Sequence, residues 1–387
     1  MDWISTQDLL AGPRGRELCF ELARLAAPVR PGESYGNGVL LPPGMSRDGE
    51  QVLRTLAGIP ERPVFTGADL HRGLAGVVRR ATYWQPPDET AQLLAEPEPC
   101  RALLPVAAAV VRSPAAAWWC EPAAPVTHYV QWVQTSTVPG TTPPTLDGAS
   151  QALARWRASV VSQEANTPFP AGWTGRWWSS PSLSRLVSTS PALPGQGPAG
   201  LDLVEDPQDW THARSYPVRV APDARICEIR GPGDWQDLAV RYPLDVTRSR
   251  GSSWSAAVPQ SEGWSWVMPD WSAVAEEYDG VHLTVAGYLS TAGAPLAAGA
   301  VPDAGTALAA LTVLAGWAPG ETWWLNDVLE PAGEPTGWQT AGQANHATKR
   351  SAGQPAGQSA GQSAGQPAGR DASGWQVQAG DPGTGSK

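Results

Sequence analysis

Four residues in the second half of the chain have side chains suited to acid–base chemistry. His282 and Thr284 follow the turn that contains Asp279, and they share one face of a predicted strand because alternate residues of a strand point the same way. A loop-to-strand junction is a common position for catalytic groups. With Glu276 or Glu277, Asp279 and His282 therefore form a candidate acid–base or metal cluster. The alternative is a half-buried strand in which His282 hydrogen-bonds to its neighbours and Asp279 is an ordinary turn residue.

A second pattern combines the hydroxyl triplet Ser188-Thr189-Ser190 with a glutamate further along the chain, Glu228. Apolar residues precede the triplet and flank the glutamate, so both are expected on strands. Arg112 follows an apolar stretch well before the triplet, and Arg176 lies much closer to it.

This pattern resembles the Arg/Ser-Thr-Ser/Glu class of ADP-ribosyltransferases, which use NAD as a substrate. The resemblance implies that Arg112, or less favourably Arg176, holds the phosphates or ribose of NAD and that Ser188 organises the pocket. It implies that Glu228 stabilises the positive charge that develops on the nicotinamide ribose, a role in which a carboxylate is effective in a water-poor site. The expected catalytic residues are thus Glu228, Ser188 and Arg112, and the expected NAD-binding residues are Arg176, Ser190 and Trp178.

The sequence departs from this family at two points. Where the family has Glu-x-Glu, this sequence has Glu228-Ile-Arg230, which argues against arginine as the acceptor of ADP-ribose. Pro191 directly follows the triplet and is expected to interrupt the strand, because proline lacks the N–H of a ladder hydrogen bond.

Tryptophan is unusually frequent, with 20 residues against only 3 Phe. Many flank turns, as in Trp118-Trp119, Trp177-Trp178 and Trp323-Trp324. A tryptophan buries a large apolar ring whose N–H still needs a partner. The cluster is consistent either with stacking platforms for a sugar, base or nicotinamide ring or with a core that uses Trp in place of Phe.

Neither the cysteines nor the histidines have metal-ligand or disulfide spacing. Cys19, Cys100, Cys120 and Cys227 are dispersed without a CxxC pair, and no HExxH occurs. No metal is predicted. Dinucleotide-binding GxGxxG after a strand, a Walker loop and a GxSxG elbow are also missing from the sequence.

The elements that position these residues divide the chain into three parts. Residues 1–115 are predicted to be mainly helical, from helical spacing over Pro13–Ala27, Gln51–Ile59, Ala68–Arg80 and Glu89–Ala95. Residues 116–330 are predicted to form a Trp-rich α+β domain, with a helix over Ser150–Glu164, two helices opening at Pro232 and Pro269, and strands over Val126–Val133, Gly200–Val204, Arg225–Ile229, Val281–Leu289 and Ala310–Trp317.

Residues 336–387 are predicted to be a low-complexity, disordered tail. AGQP and AGQS recur there at a four-residue period, and such a segment has too little apolar surface to offset the entropy of ordering it.

Composition narrows the functional classes. The formal net charge of −10 disfavours nucleic acid and anionic membranes as partners. Lys occurs only at Lys349 and Lys387 among 27 basic residues, a bias typical of a GC-rich genome such as that of an actinobacterium. The start lacks a signal-peptide pattern and no apolar run is long enough to span a bilayer, so a cytoplasmic location is expected.

Two functions follow as hypotheses: an intracellular NAD-using ADP-ribosyltransferase-like enzyme, or a non-catalytic protein-interaction module with a flexible tail.

Overall fold

The computed structural model describes most of the chain. The described residues are 4–26, 49–133, 143–168, 172, 174–181, 186–207, 210–258, 264–303, 306–340 and 374–377. Most of the predicted tail, residues 341–373 and 378–387, lies outside these ranges.

Helices dominate the first part of the chain and recur between the later strands. Those up to residue 111 are α1 (Thr6–Ala11), α2 (Pro13–Ala26), α3 (Gly49–Ala57), α4 (Gly67–Arg79), α5 (Glu89–Ala95), α6 (Pro97–Ala102) and α7 (Leu104–Val111). The later ones are α8 (Ala149–Asn166), α9 (Pro232–Arg241), α10 (Thr247–Ala257), α11 (Trp271–Val274) and α12 (Val285–Thr291). Short 3₁₀ helices span Pro114–Cys120 and Ala199–Leu201.

Strands begin only after residue 125. They are β1 (Val126–Val133), β2 (Ser188–Thr189), β3 (Ala192–Leu193), β4 (Gly197–Pro198), β5 (His212–Val220), β6 (Ile226–Ile229), β7 (Pro243–Asp245), β8 (Ser265–Pro269), β9 (Gly280–Leu283), β10 (Pro295–Asp303), β11 (Thr306–Val313), β12 (Thr322–Trp324), β13 (Leu329–Pro331), β14 (Thr336–Thr340) and β15 (Trp375–Val377).

These strands form three larger sheets and one hairpin. The first sheet has the order β1-β5-β14-β15, with β13 also paired to β5; the second has the order β10-β11-β8-β7; the third has the order β2-β12-β9-β6. The pair β6–β9 and the pair β8–β11 are parallel, and the other pairs are antiparallel. The fold class is therefore α+β, with a helical N-terminal region followed by mixed sheets, as predicted.

Local signals in the sequence explain where several helices begin. Thr66 accepts from the N–H of Asp69, whose side chain accepts from the N–H of Thr66, a reciprocal capping box at α4. Asp88 is the N-cap residue of α5, and its side chain accepts from the N–H of Ala91. At α8 the backbone donors are satisfied by a distant residue: the Asp327 carboxylate accepts from the N–H groups of Gly148 and Ala149.

One hydrophobic core joins the helical region to the sheets. It contains Leu18 and Leu22 of α2 together with Tyr288 and Leu289 of α12, and it extends to Trp271. Several of the largest fully buried side chains are tryptophans, namely Trp119, Trp235, Trp254, Trp266, Trp271, Trp317 and Trp324. For these residues the core-filling interpretation of the Trp content applies.

Two predicted strands are different in the structure. The predicted strand Val281–Leu289 ends at Leu283, because the Thr284 hydroxyl accepts from the N–H of Gly287 and starts α12. The predicted strand Gly200–Val204 is instead the end of a 3₁₀ helix and the turn after it.

Two described stretches of the predicted tail are strands. In β14, Thr336 and Trp338 pair with Ser215 and Ala213 of β5, and β15 pairs with β14. The Trp338 ring N–H donates to the Ser215 hydroxyl at 2.9 Å. Tryptophans within otherwise polar sequence therefore bring these stretches onto the first sheet. None of the helices in the described ranges combines the length and apolar content that crossing a bilayer requires.

Candidate active site

A cavity of about 410 Å³ opens where β1, β2 and the start of β12 meet. Its volume lies within the range of about 300–1,000 Å³ that is typical of small-molecule sites. Hydroxyl groups, carboxyl groups and indole rings line this cavity. The residues that contribute them include Ser188, Ser190, Glu205, Glu321, Trp178 and Trp323.

The three residues of the triplet line this cavity. In the antiparallel pair of β2 and β12, Ser188 is opposite Trp323 and Thr189 is opposite Thr322. Ser190 forms an isolated bridge with His128 of β1, with reciprocal N–H to carbonyl bonds of 2.9 and 3.0 Å. This bridge joins the first sheet to the third, and the cavity lies beside the junction.

Glu321 lies at the turn just before β12. The preceding Gly320 has a φ of +77°, which lets the chain turn sharply into the strand. The N–H of Ala318 donates to the Glu321 Oε2 at 3.2 Å, and the Ser188 side chain lies near enough to favour the ionised carboxylate. Burial raises the pKa of Glu321 to about 7, and these two neighbours offset part of that effect.

Glu205 brings a second carboxylate to the cavity from the loop before β5. The hydroxyls of Tyr83 and Tyr288 both donate to its Oε1 atom, the latter at 2.9 Å. Burial raises the pKa of Glu205 to about 7, the two tyrosines and the Arg14 guanidinium oppose that rise, and the charge of Glu321 adds to it. The two carboxylates are therefore close enough to influence each other's ionisation.

Aromatic rings form the walls. Trp177 stacks on Tyr83 with ring centroids 5.5 Å apart and 18° between planes, and Trp178 meets Trp177 edge to face at 5.7 Å. Trp132 stacks on Trp210 at 4.9 Å. Trp132, Trp177, Trp178 and Trp323 all line the cavity, and for this subset the stacking interpretation of the Trp content stays a prediction.

The Trp177-Trp178 segment is held by backbone contacts. The Trp254 ring N–H donates to the carbonyl of Trp177 at 2.7 Å, and the Arg250 guanidinium donates to the carbonyl of Trp178 at 3.1 Å. Gly316 makes close contact with this segment: a Cβ atom there would come within 2.6 Å of the Trp178 Cβ, and its φ is +73°. These contacts fix the backbone of the segment that carries the two indole rings.

His128 contributes a neutral imidazole. Burial lowers the pKa of His128 below its ordinary value. Its Nδ1 atom is buried and has no hydrogen-bond partner among the described residues. The cavity thus contains two carboxylates, an imidazole and several hydroxyls in partly dry surroundings.

Three of the six residues predicted from the sequence line this cavity, namely Ser188, Ser190 and Trp178. Glu228 does not join them. Across the third sheet, Glu228 of β6 is in register with His282, His282 with Thr322, and Thr322 with Thr189. Residues in register share a face, and Ser188 is one residue away from Thr189, so the side chains of Ser188 and Glu228 point to opposite faces of the sheet.

The Glu228 carboxylate instead makes a local contact on its own face. Its Oε1 accepts from the N–H of Ala123 at 3.1 Å, and burial raises the pKa of Glu228 above its ordinary value. The structure therefore does not bring Glu228 and Ser188 into one site.

The two predicted arginines also lie apart from the cavity. Arg112 is the exposed C-cap residue of α7. Arg176 lines a separate surface depression with Gln163, Asn166 and other residues near the end of α8. Neither guanidinium is among the groups that line the cavity.

The candidate acid–base cluster at Asp279 and His282 is explained by structural contacts. Asp279 accepts from the Arg225 guanidinium at 3.1 Å and from the Asn326 amide at 2.9 Å, and the Arg225 hydrogen bonds lower the pKa of Asp279. His282 is buried, its Nδ1 is 2.8 Å from the Thr322 hydroxyl, and burial lowers the pKa of His282 to about 4. Within the described ranges, no group of three or more His, Cys, Asp or Glu side chains has an arrangement that could hold a metal ion.

Sequence reasoning missed both carboxylates of the cavity. Glu205 follows an irregular turn and Glu321 follows Pro319-Gly320, so neither is part of a periodic pattern. The Pro-Gly turn directly before Thr322-Trp323-Trp324 was the available signal for Glu321, because catalytic groups often lie where a loop enters a strand.

Comparison with known proteins gives no match: no family model matches the chain, and neither a curated protein nor a solved structure is similar to it. The functional argument therefore depends on the geometry of the cavity.

Proposed function

We propose that the chain cleaves the bond between nicotinamide and ribose in NAD, and that Glu321 has the charge-stabilising role that the sequence pattern suggested for Glu228. The chemistry is that of the ADP-ribosyltransferase resemblance, carried by a different carboxylate. In this proposal Ser188 and Ser190, which line the cavity, take the pocket roles that the resemblance implies.

The observation that supports this proposal is that Ser188 and Glu321 line the same indole-lined cavity, where Ser188 lies near enough to favour the ionised form of Glu321. A carboxylate held in that position offers negative charge where a ribose ring would develop positive charge. The indole ring of Trp178, which also lines the cavity, offers an apolar surface on which a flat nicotinamide ring can stack.

The proposed reaction balances without a metal or redox partner. The bond between ribose C1′ and the pyridinium nitrogen breaks, and its electron pair stays with nitrogen, so nicotinamide leaves as a neutral molecule. The positive charge passes to the ribose C1′ and ring oxygen, where the ionised Glu321 stabilises it. An oxygen nucleophile then bonds to C1′ and gives up its proton to a base.

The non-catalytic alternative has less support. It predicts an exposed apolar patch to which a partner would bind. Within the described ranges, each exposed large hydrophobic side chain is on a different element or loop. These side chains are Leu53, Val64, Leu104, Val126, Val161, Val240, Trp264 and Val377.

Incubation of the full chain with NAD tests the proposal directly. We expect nicotinamide to be released, and we expect millimolar NAD to raise the melting temperature because it binds only the folded state. Tryptophan fluorescence should also be quenched as the nicotinamide stacks on the pocket rings. Absence of all three effects would favour the interaction module.

A further inference from the structure

A second carboxylate lines the same cavity, and its contacts differ from those of Glu321. Glu205 accepts from both tyrosine hydroxyls on one oxygen, Oε1. Its Oε2 atom is buried and has no hydrogen-bond partner among the described residues. One oxygen is thus held in place by two donors, whereas the other is an acceptor whose hydrogen-bonding capacity is unused.

The groups around Glu205 come from four separate segments of the chain. Arg14 of α2 lies over the Tyr83 ring, with its guanidinium carbon 5.0 Å from the ring centroid, and Tyr83 follows α4. Tyr288 belongs to α12, and Glu321 lies before β12. The orientation of Glu205 is therefore set by the helical N-terminal region and α12, whereas Glu321 is set by the third sheet.

We propose that Glu205 is the general base of the reaction, that Tyr83 and Tyr288 position it, and that the nucleophile it activates is water. The inference rests on the proposed NAD cleavage and assigns its acceptor. The chain would then be an NAD glycohydrolase that releases free ADP-ribose.

The water step follows from this geometry. A water oxygen forms a bond to ribose C1′, and one of its protons moves to the Glu205 Oε2. The products are nicotinamide, ADP-ribose and one proton, which Glu205 later loses to solvent. Water needs no binding site for an acceptor side chain, and the Glu228-Ile-Arg230 sequence already departs from the pattern of arginine-directed transfer.

Substitution of the two carboxylates separates their roles. For Glu205→Gln we expect NAD still to raise the melting temperature but hydrolysis to fall by about 10²–10⁴-fold, the usual contribution of general base catalysis. Azide is already an anion and has no proton to lose, so it should restore nicotinamide release in Glu205→Gln and give an azido sugar product. It should not restore release in Glu321→Gln, in which charge stabilisation is lost.

Tyr288→Phe tests the positioning role. The Tyr288 hydrogen bond favours the ionised form of Glu205, so its loss should move the rising part of the pH–rate profile to higher pH. A purely structural role for Tyr288 would lower the rate at every pH without that displacement. Glu330→Gln, on the exposed part of β13, is the matched control and should behave as the wild type.

The outcomes distinguish this inference from the proposed function. If the wild type cleaves NAD but Glu205→Gln hydrolyses it at the wild-type rate, or azide fails to restore the variant, the assignment of Glu205 is wrong while the proposed function stands. If the wild type neither binds nor cleaves NAD, both are wrong.

Discussion

At the scale of single residues, the two carboxylates of the cavity depend on burial for their properties. Each has a pKa near 7 because the charged form loses hydration, and the charge of Glu321 raises the pKa of Glu205 further. Both carboxyl groups therefore titrate near neutral pH.

The pH dependence of NAD cleavage should report this titration. Charge stabilisation and base catalysis both need ionised carboxylates, so we expect the rate to rise as pH increases through about 7 and to level off above pH 8. A pH–rate profile from pH 5 to 9 measures it. A profile that is flat across neutral pH would contradict the role of both groups.

Stability should depend on pH in the opposite direction. A carboxyl group whose folded pKa is raised from 4.5 to about 7 is most favourable to folding below pH 4.5, and that contribution is lost as pH rises to 7. We expect Glu205→Gln and Glu321→Gln each to increase the free energy of unfolding at pH 8 by roughly 1–3 kcal/mol. Denaturant unfolding at pH 5 and pH 8 measures this, and lower stability of both variants at pH 8 would contradict it.

The residues of the site illustrate what the sequence could and could not predict. The triplet was identifiable because Ser188-Thr189-Ser190 forms a local pattern. The structure places Glu228 on the opposite face from Ser188, which chain order does not reveal because a shift of one residue in register reverses the face of a side chain. Glu205 and Glu321 lie in irregular turns, for which no periodic signal exists.

At the scale of elements, α12 depends on close contact between Gly287 and β6. A Cβ atom on Gly287 would come within 2.2 Å of the Ile229 carbonyl oxygen, so the helix can approach the strand only with glycine there. We expect Gly287→Ala to lower the free energy of unfolding by about 1–3 kcal/mol through overpacking.

Gly233 on α9 provides the control for that substitution. It is exposed, and a Cβ atom would have no neighbour within 4 Å, so Gly233→Ala should be neutral or stabilising by up to about 1 kcal/mol. Denaturant unfolding of both variants tests the contact. If both substitutions change the free energy of unfolding equally, the close approach of α12 to β6 does not contribute to stability.

The strand β14 gives a second prediction at this scale. The Trp338 ring covers Gly197: a Cβ atom on Gly197 would come within 2.4 Å of the indole ring. Trp338 also packs against the same small hydrophobic cluster as Trp132 of the cavity wall. Because the ring is half-buried, we expect Trp338→Ala to cost roughly 2 kcal/mol, less than a fully buried tryptophan. Val377→Thr, on an exposed position of β15, should change stability by less than about 0.5 kcal/mol. Thermal unfolding that shows no difference between the two would contradict the packing of β14.

Element type was predicted well where the pattern was long and poorly where it was short. The prediction for Val126–Val133 matches β1, and the helices α2, α4 and α5 fall close to their predicted positions. The apolar run Val281–Leu289 contains both β9 and α12, because the Thr284 cap changes the conformation within a continuous hydrophobic stretch. Periodicity alone does not detect such a change.

At the scale of the whole molecule, the α+β class followed from composition and pattern, but the cavity did not. Its two carboxylates are positioned by different parts of the structure: Glu205 by tyrosines near α4 and on α12, and Glu321 by the start of β12. That convergence depends on the single core that joins α2 to α12 and the sheets. Contacts between residues so far apart along the chain are invisible in a single sequence.

The most direct test of the account compares Glu321→Gln with Glu228→Gln in release of nicotinamide from NAD. Glu321 lies beside Ser188, whereas Glu228 points to the other face of the sheet. We predict that Glu321→Gln reduces release by about 10²–10³-fold while Glu228→Gln leaves it at the wild-type rate. Loss of release in Glu228→Gln with full activity in Glu321→Gln would contradict the proposed site.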